Sequence, residues 1–172
     1  DLIDDQLIYP TGTVLSKTFY YPTDSQGNFV QVDDGNLTSL DLTKNSLVET
    51  RLLVKRDMGW EALPYVWNEN QTEAFLRIAG SSKAVVLSDE EKNTEFTYFV
   101  PNQNQCSACH VTDHPDGEMH PLGAVSNQLS ARVSSSNSDS QLETLVSKGW
   151  LDSIPVTEPN YSWKDADISV EQ

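Results

Sequence analysis

Both cysteines of this chain lie in one short stretch, Cys106-Ser107-Ala108-Cys109-His110, so no disulfide can staple distant parts of the fold together. Its 172 residues must therefore fold around a hydrophobic core, and at 37% hydrophobic composition they suffice for one compact domain. The stretch is itself constrained. Two thiols three residues apart on a helical turn project to neighbouring positions, and the histidine that follows is carried beneath whatever those thiols hold. A helical segment is expected there.

This spacing suits a covalently attached haem, in which each thiol forms a thioether with one vinyl group and His110 becomes the proximal iron ligand. A neutral imidazole nitrogen binds the metal, and the other ring nitrogen needs an oriented acceptor. The expectation is one haem c, held by Cys106 and Cys109 and ligated by His110. Two other readings compete. A redox disulfide between the cysteines expects a thioredoxin-like βαβ setting, whereas β-rich sequence precedes them here. A zinc-binding module would recruit Cys106, Cys109 and two of His110, His114 and His120 around a tetrahedral ion. The histidine directly after the second cysteine favours haem.

Only Met58 and Met119 can supply a methionine to the distal side of the iron, where such a ligand raises the reduction potential. Met119 follows His110 by nine residues, so an extended connection reaches about 30 Å. That connection must round the porphyrin edge and contains the turn-forming His114-Pro115-Asp116-Gly117. Met58, an apolar residue at the tip of a polar turn, is the first distal candidate and Met119 the alternative. An open sixth position is the third option. His114 and His120 read as structural or solvent-facing, Trp60, Tyr65 and Trp67 as core or haem-packing aromatics. Arg51 and Lys55 are candidates to pair with haem propionates.

Strand signals dominate the first hundred residues. Tyr9 to Pro22 is rich in aromatic and β-branched types, and Phe29 to Val32 is a second short strand suited to pair with it. Leu47 to Arg56 and Trp60 to Trp67 form a hairpin about Asp57-Met58-Gly59. In its first arm Val48, Thr50, Leu52 and Val54 share a face expected to be core, with Glu49, Arg51, Leu53 and Lys55 on the other. Asn68 to Ala79 changes period, with Ala74, Phe75 and Ile78 as an apolar stripe, and is expected to be a short helix ended by Gly80. Strands are expected again at Ala84 to Leu87 and Glu95 to Val100. Beyond His110, Ser134 to Ser140 reads as a flexible serine-rich piece. Ser140 with Glu143 predicts a capping box for a helix carrying Leu142, Leu145 and Val146 and ending at Gly149. The tail after it, with Pro155 and Pro159, is expected to wrap the surface. The fold class is α+β: mainly antiparallel sheet, then a haem-binding helical segment and a short C-terminal helix. Residues 1–172 are expected to form a single c-type haem domain, with a β-sheet part over 9–100 and an attachment and C-terminal part over 101–172.

The net charge of −15 opposes binding to nucleic acid or anionic lipid, whose phosphates repel it, and fits a cationic protein partner. The acids concentrate toward both ends of the chain. No run of about 18 apolar residues is present to span a membrane. A start at Asp1 reads as a mature or trimmed product.

Three resemblances extend this reading. From His110 onward, Gly117, His120, Pro121 and Leu122 resemble the loop of small class I cytochromes c, which implies that the Pro121 carbonyl accepts the proximal histidine hydrogen bond. Pro10-Thr11-Gly12-Thr13-Val14-Leu15-Ser16-Lys17-Thr18-Phe19-Tyr20, Leu53-Val54-Lys55-Arg56-Asp57, Gly59-Trp60 and the Cys-x-x-Cys-His stretch are similar to cytochromes of the c-prime-beta type. That likeness implies a curved antiparallel sheet over one haem face and a five-coordinate iron that meets small gases or oxidisable nitrogen compounds. The stretches at 48–54, 60–68 and 101–106 resemble an uncharacterised family of exported bacterial haem-motif proteins, which implies a periplasmic or otherwise exported setting. The function expected is that of a monohaem cytochrome domain passing single electrons to or from a redox partner protein. The alternative is a five-coordinate haem protein that binds or transforms a small gas or peroxide.

Overall fold

The computed structural model describes residues 2–3, 6–31, 41–88, 92–111, 117–122, 125–129 and 140–154. The serine-rich piece at 134–139, His114 and the tail from Pro155 lie outside them, as do the expectations placed there. The chain divides into two compact units, one formed by residues 10–120 and the other by 1–9 with 121–172. The attachment stretch thus belongs with the sheets that precede it.

The strands in chain order are β1 (Leu2–Ile3), β2 (Gln6–Leu7), β3 (Val14–Pro22), β4 (Phe29–Val30), β5 (Asn45–Arg56), β6 (Gly59–Trp67), β7 (Ala74–Leu76), β8 (Ser81–Ser88) and β9 (Asn93–Val100). Three helices follow, α1 (Gln103–His110), α2 (Ser126–Leu129) and α3 (Gln141–Ser147). Mainly antiparallel sheet with short helices is therefore the observed class. Among the described residues, no helix is long and apolar enough to cross a membrane.

In the larger unit β3-β5-β6-β7 form one antiparallel sheet and β4-β8-β9 a second. The β5–β6 hairpin is as expected, closing through Asp57 and Met58 with Gly59 at φ 127°, a conformation that side chains beyond glycine resist. Val48 has no cross-strand partner in β3, because the register shifts between Phe19 and Tyr20. This bulge explains why Leu47, Val48 and Glu49 are buried in succession where a regular strand would alternate. The expected single core face of β5 is accordingly incomplete: Val48 and Val54 are buried, yet so is Glu49 on the other side.

The two sheets meet through aromatic rings. Tyr21 of β3 stacks on Phe29 at 5.2 Å and meets Tyr98 of β9 edge-on at 6.2 Å. Phe29 is bridged to Thr23, but the strand β4 that it begins runs parallel to β8, with Phe29 opposite Leu87. The expected pairing of the first two strands is thus replaced by a crossover into the second sheet.

The helix expected over Asn68 to Ala79 does not form. The Asn68 side chain accepts from the Thr72 backbone, Gln71 takes a left-handed φ of 56°, and Ala74–Leu76 then adds β7 to the edge of β6. Gln71 is held there because its side-chain amide donates to the carbonyls of Leu47 and Asn68. The apolar stripe that suggested helix is instead largely exposed at Phe75 and Ile78.

In the smaller unit β1 and β2 pair antiparallel. The expected Ser140–Glu143 capping box opens α3, Leu142 is buried, and Gly149 ends the segment at φ 68°.

Candidate cofactor-attachment site

Helix α1 begins at an N-cap that its own sequence supplies. Asn102 accepts from the Gln105 backbone while the Gln105 side chain accepts from Asn102, and the Gln103 N–H donates to the Ile78 carbonyl. The approach that permits this contact depends on Gly80: a side-chain carbon there would lie 2.6 Å from the Val100 carbonyl oxygen and 3.0 Å from the Asn102 nitrogen. Glycine therefore lets the turn after β7 pass directly beside the start of α1.

Cys106 is half-buried, Cys109 is exposed, and both are free thiols. A disulfide does not join them. His110, one turn after Cys106, closes the helix. Its Nδ1 lies 2.9 Å from the carbonyl oxygen of His120, which can only accept, so the ring nitrogen carries the proton and donates. With the proton on Nδ1, Nε2 is the ring nitrogen left to offer a lone pair, the form in which a neutral histidine ligates metals. The His120 N–H returns a bond to the His110 carbonyl at 2.8 Å, and Val111 bridges Met119 antiparallel. The acceptor is thus His120, one residue before the expected Pro121: the antiparallel return places His120, opposite His110, within reach of the ring.

The same return fixes Met119. Its Cα lies within about 9 Å of the His110 Cα, from one bonded step of 3.8 Å and a paired-strand spacing of 4.5–5.5 Å. Met119 is therefore tethered beside the His110 backbone. Met58 is 94% exposed at the hairpin tip. It lies on the order of 20 Å along the sheet from Arg51, at about 3.3 Å per strand residue. The structure therefore sets Met58 well away from Arg51, the β5 cation within electrostatic range of Cys106. Trp60 and Tyr65 belong to β6 on opposite faces, and Trp67 donates to the Thr50 hydroxyl at 3.0 Å. No group of three or more His, Cys, Asp or Glu that could hold a metal ion occurs among the described residues, which include Cys106, Cys109, His110 and His120.

A cluster that the sequence did not bring together lies within electrostatic range of Cys106. Glu49 is fully buried in β5, and Arg51, two residues on and on the same face, grips it with a two-pronged contact, NH2 to Oε1 at 2.6 Å and Nε to Oε2 at 2.9 Å. The Tyr98 hydroxyl donates to the same Oε1 at 2.6 Å. The Arg51 guanidinium also lies 4.5 Å over the ring of Phe19. The Glu49 hydrogen bonds hold Arg51 above its ordinary pKa, and burial together with Glu49 raises Tyr98. Burial pushes the Cys106 thiol up, an effect that nearby Arg51 opposes and Glu49 reinforces. The sequence signal, a Glu-x-Arg pair on one strand face, is common on solvated strands; only burial gives it weight. His120 Nδ1 is also buried, with no hydrogen-bond partner among the described residues.

The donor set fits a covalently tethered metal macrocycle: two free thiols on one helical turn, followed by an imidazole whose far nitrogen is already satisfied. In comparisons with known proteins, no family model, no curated protein and no solved structure matches the chain.

Proposed function

We propose that this chain is an exported monohaem c-type cytochrome domain that carries single electrons to or from a partner redox protein. The observation that carries the reading is His110, whose Nδ1 is bound to the His120 carbonyl directly after the two free thiols of Cys106 and Cys109. Bound haem would supply a one-electron iron couple. Cys106 and Cys109 would hold it covalently, and His110 would supply a nitrogen ligand to the iron. The hydrogen bond to His120 fixes the ring orientation and makes Nε2 a better donor. The charge of −15 favours a cationic protein partner.

A second reading is favoured by the two methionines. Met119 is tethered beside His110 and Met58 stands exposed at a distant turn. Haem held here without a methionine ligand would leave its iron open to a small gas or peroxide.

The test is to produce the protein in a host that assembles c-type cytochromes and to record its spectra. The reading expects one haem per chain that resists acid extraction, loss of covalent attachment in C106S/C109S, and reversible one-electron reduction. A colourless protein with stoichiometric zinc overturns it. A high-spin ferric spectrum with rapid carbon monoxide binding to the ferrous form selects the five-coordinate reading. A methionine-to-iron charge-transfer band that vanishes in M58A or M119A selects the six-coordinate carrier and identifies the ligand.

A further inference from the structure

One face of the β3-β5-β6-β7 sheet carries a row of cations. Residues directly opposed across paired strands share a face, so the registers Lys17↔Arg51, Phe19↔Glu49, Arg51↔Pro64 and Lys55↔Trp60 put Lys17, Arg51 and Lys55 on the side that bears Glu49. Three of the 11 basic residues of a strongly acidic chain are thereby gathered on one face. Each is held over an aromatic ring: Lys17 at 5.0 Å and Arg51 at 4.5 Å from Phe19, Lys55 at 5.7 Å from Trp60.

Arg51 is the most firmly placed. Glu49 takes its Nε–H and an N–H of NH2, two of the five donors of the guanidinium, and Phe19 covers one of its faces. The Arg51 side chain remains 35% exposed, and α1, which carries Cys106, packs against β6, the strand next to β5. A buried carboxylate paired in this way adds little stability over a well-packed apolar pair; its distinctive effect is to hold one guanidinium in one orientation. A planar fork so held suits a carboxylate.

We propose that Arg51 binds a propionate carboxylate of the attached tetrapyrrole, with Lys17 and Lys55 as flanking cations and Glu49 and Tyr98 as positioning residues. This rests on the haem reading above. The charged and titratable groups facing Arg51 are Glu49 on its own strand, Lys17 on β3, Tyr98 on β9 and Cys106 on α1.

The test follows the midpoint potential of the haem-loaded protein against pH in wild type, Arg51→Gln, Arg51→Lys and Lys17→Gln/Lys55→Gln. An ionised propionate stabilises the oxidised iron, so the potential falls as pH rises through the propionate pKa. A cation within 4–6 Å lowers a carboxyl pKa by about 1–3 units, so Arg51→Gln should move the inflection upward by about that amount. Arg51→Lys should restore most of it, and the double lysine variant should move it upward by less. An Arg51→Gln profile that overlays wild type overturns the inference and leaves the haem reading intact, whereas a wild-type chain that attaches no haem overturns both. If Arg51→Gln does not fold, the double lysine variant, which leaves Glu49 paired, carries the test; an unmoved inflection there overturns the inference.

Discussion

Glu49 is the residue whose chemistry depends most on its surroundings. Its carboxyl group, at 0% exposure, is tolerated only because Arg51 and Tyr98 satisfy its oxygens with bonds of 2.6–2.9 Å. Glu49→Gln should therefore destabilise the fold by about 2–4 kcal/mol, below the full effect of breaking a buried pair because Arg51 is partly exposed to water. Denaturant unfolding at neutral pH checks this, and a loss under about 0.5 kcal/mol, the range of an ordinary surface change, would contradict it. Tyr98 makes a second prediction, with a defined sign. Its pKa is raised in the folded protein, so the folded state keeps the proton more tightly than the unfolded chain. The associated stability is present below pH of about 10, where the unfolded tyrosine is protonated, and is lost as pH rises beyond it. Unfolding curves between about pH 9 and 11 should show wild type losing stability more steeply than Tyr98→Phe; equal slopes would refute the assignment. At this scale the placement of Cys106, Cys109 and His110 on one short helix was legible, because it depends only on adjacent spacing. Glu49 with Tyr98 was not, because the partners are 49 residues apart.

Helix α1 owes its position to neighbours as much as to its own cap. The Asn102 and Gln105 box starts the helix, but Ile78 and Gly80 set where it starts. Gly80→Ala would place a carbon 2.6 Å from the Val100 oxygen in a backbone held at φ 76°. The expected cost is about 1–3 kcal/mol, and faster hydrogen exchange should appear at the first turn of α1. Unchanged exchange there would show that the turn does not position the helix. The β5–β6 hairpin and the α3 capping box were both readable from local sequence, since a turn or cap acts over a few residues. The segment 68–79 misled because a 3.6-residue period is also met by residues that are simply exposed. The edge of β6 and the Gln71 bonds to Leu47 chose β7 instead.

The chain as a whole carries a net charge of −15, and one face of the β3-β5-β6-β7 sheet bears a small cationic row. Under the proposed function, encounter with a basic redox partner should be electrostatically steered, so its association rate should fall about tenfold or more from roughly 10 mM to 500 mM salt, as the Debye length shrinks from about 30 Å to a few ångströms. Stopped-flow electron transfer with a basic cytochrome as probe measures this, and a salt-independent rate would argue for a neutral or acidic partner. By itself the sequence determined what is local: the Cys-x-x-Cys-His spacing, the hairpin, the α3 cap, the mainly antiparallel class and the net charge. Only the tertiary structure decided which carbonyl holds His110, where Met58 and Met119 stand, and that Glu49 is buried against Arg51 and Tyr98. The physical reason is that spacing and propensity act over a few residues, whereas burial and charge pairing arise only when strands far apart in sequence are packed together.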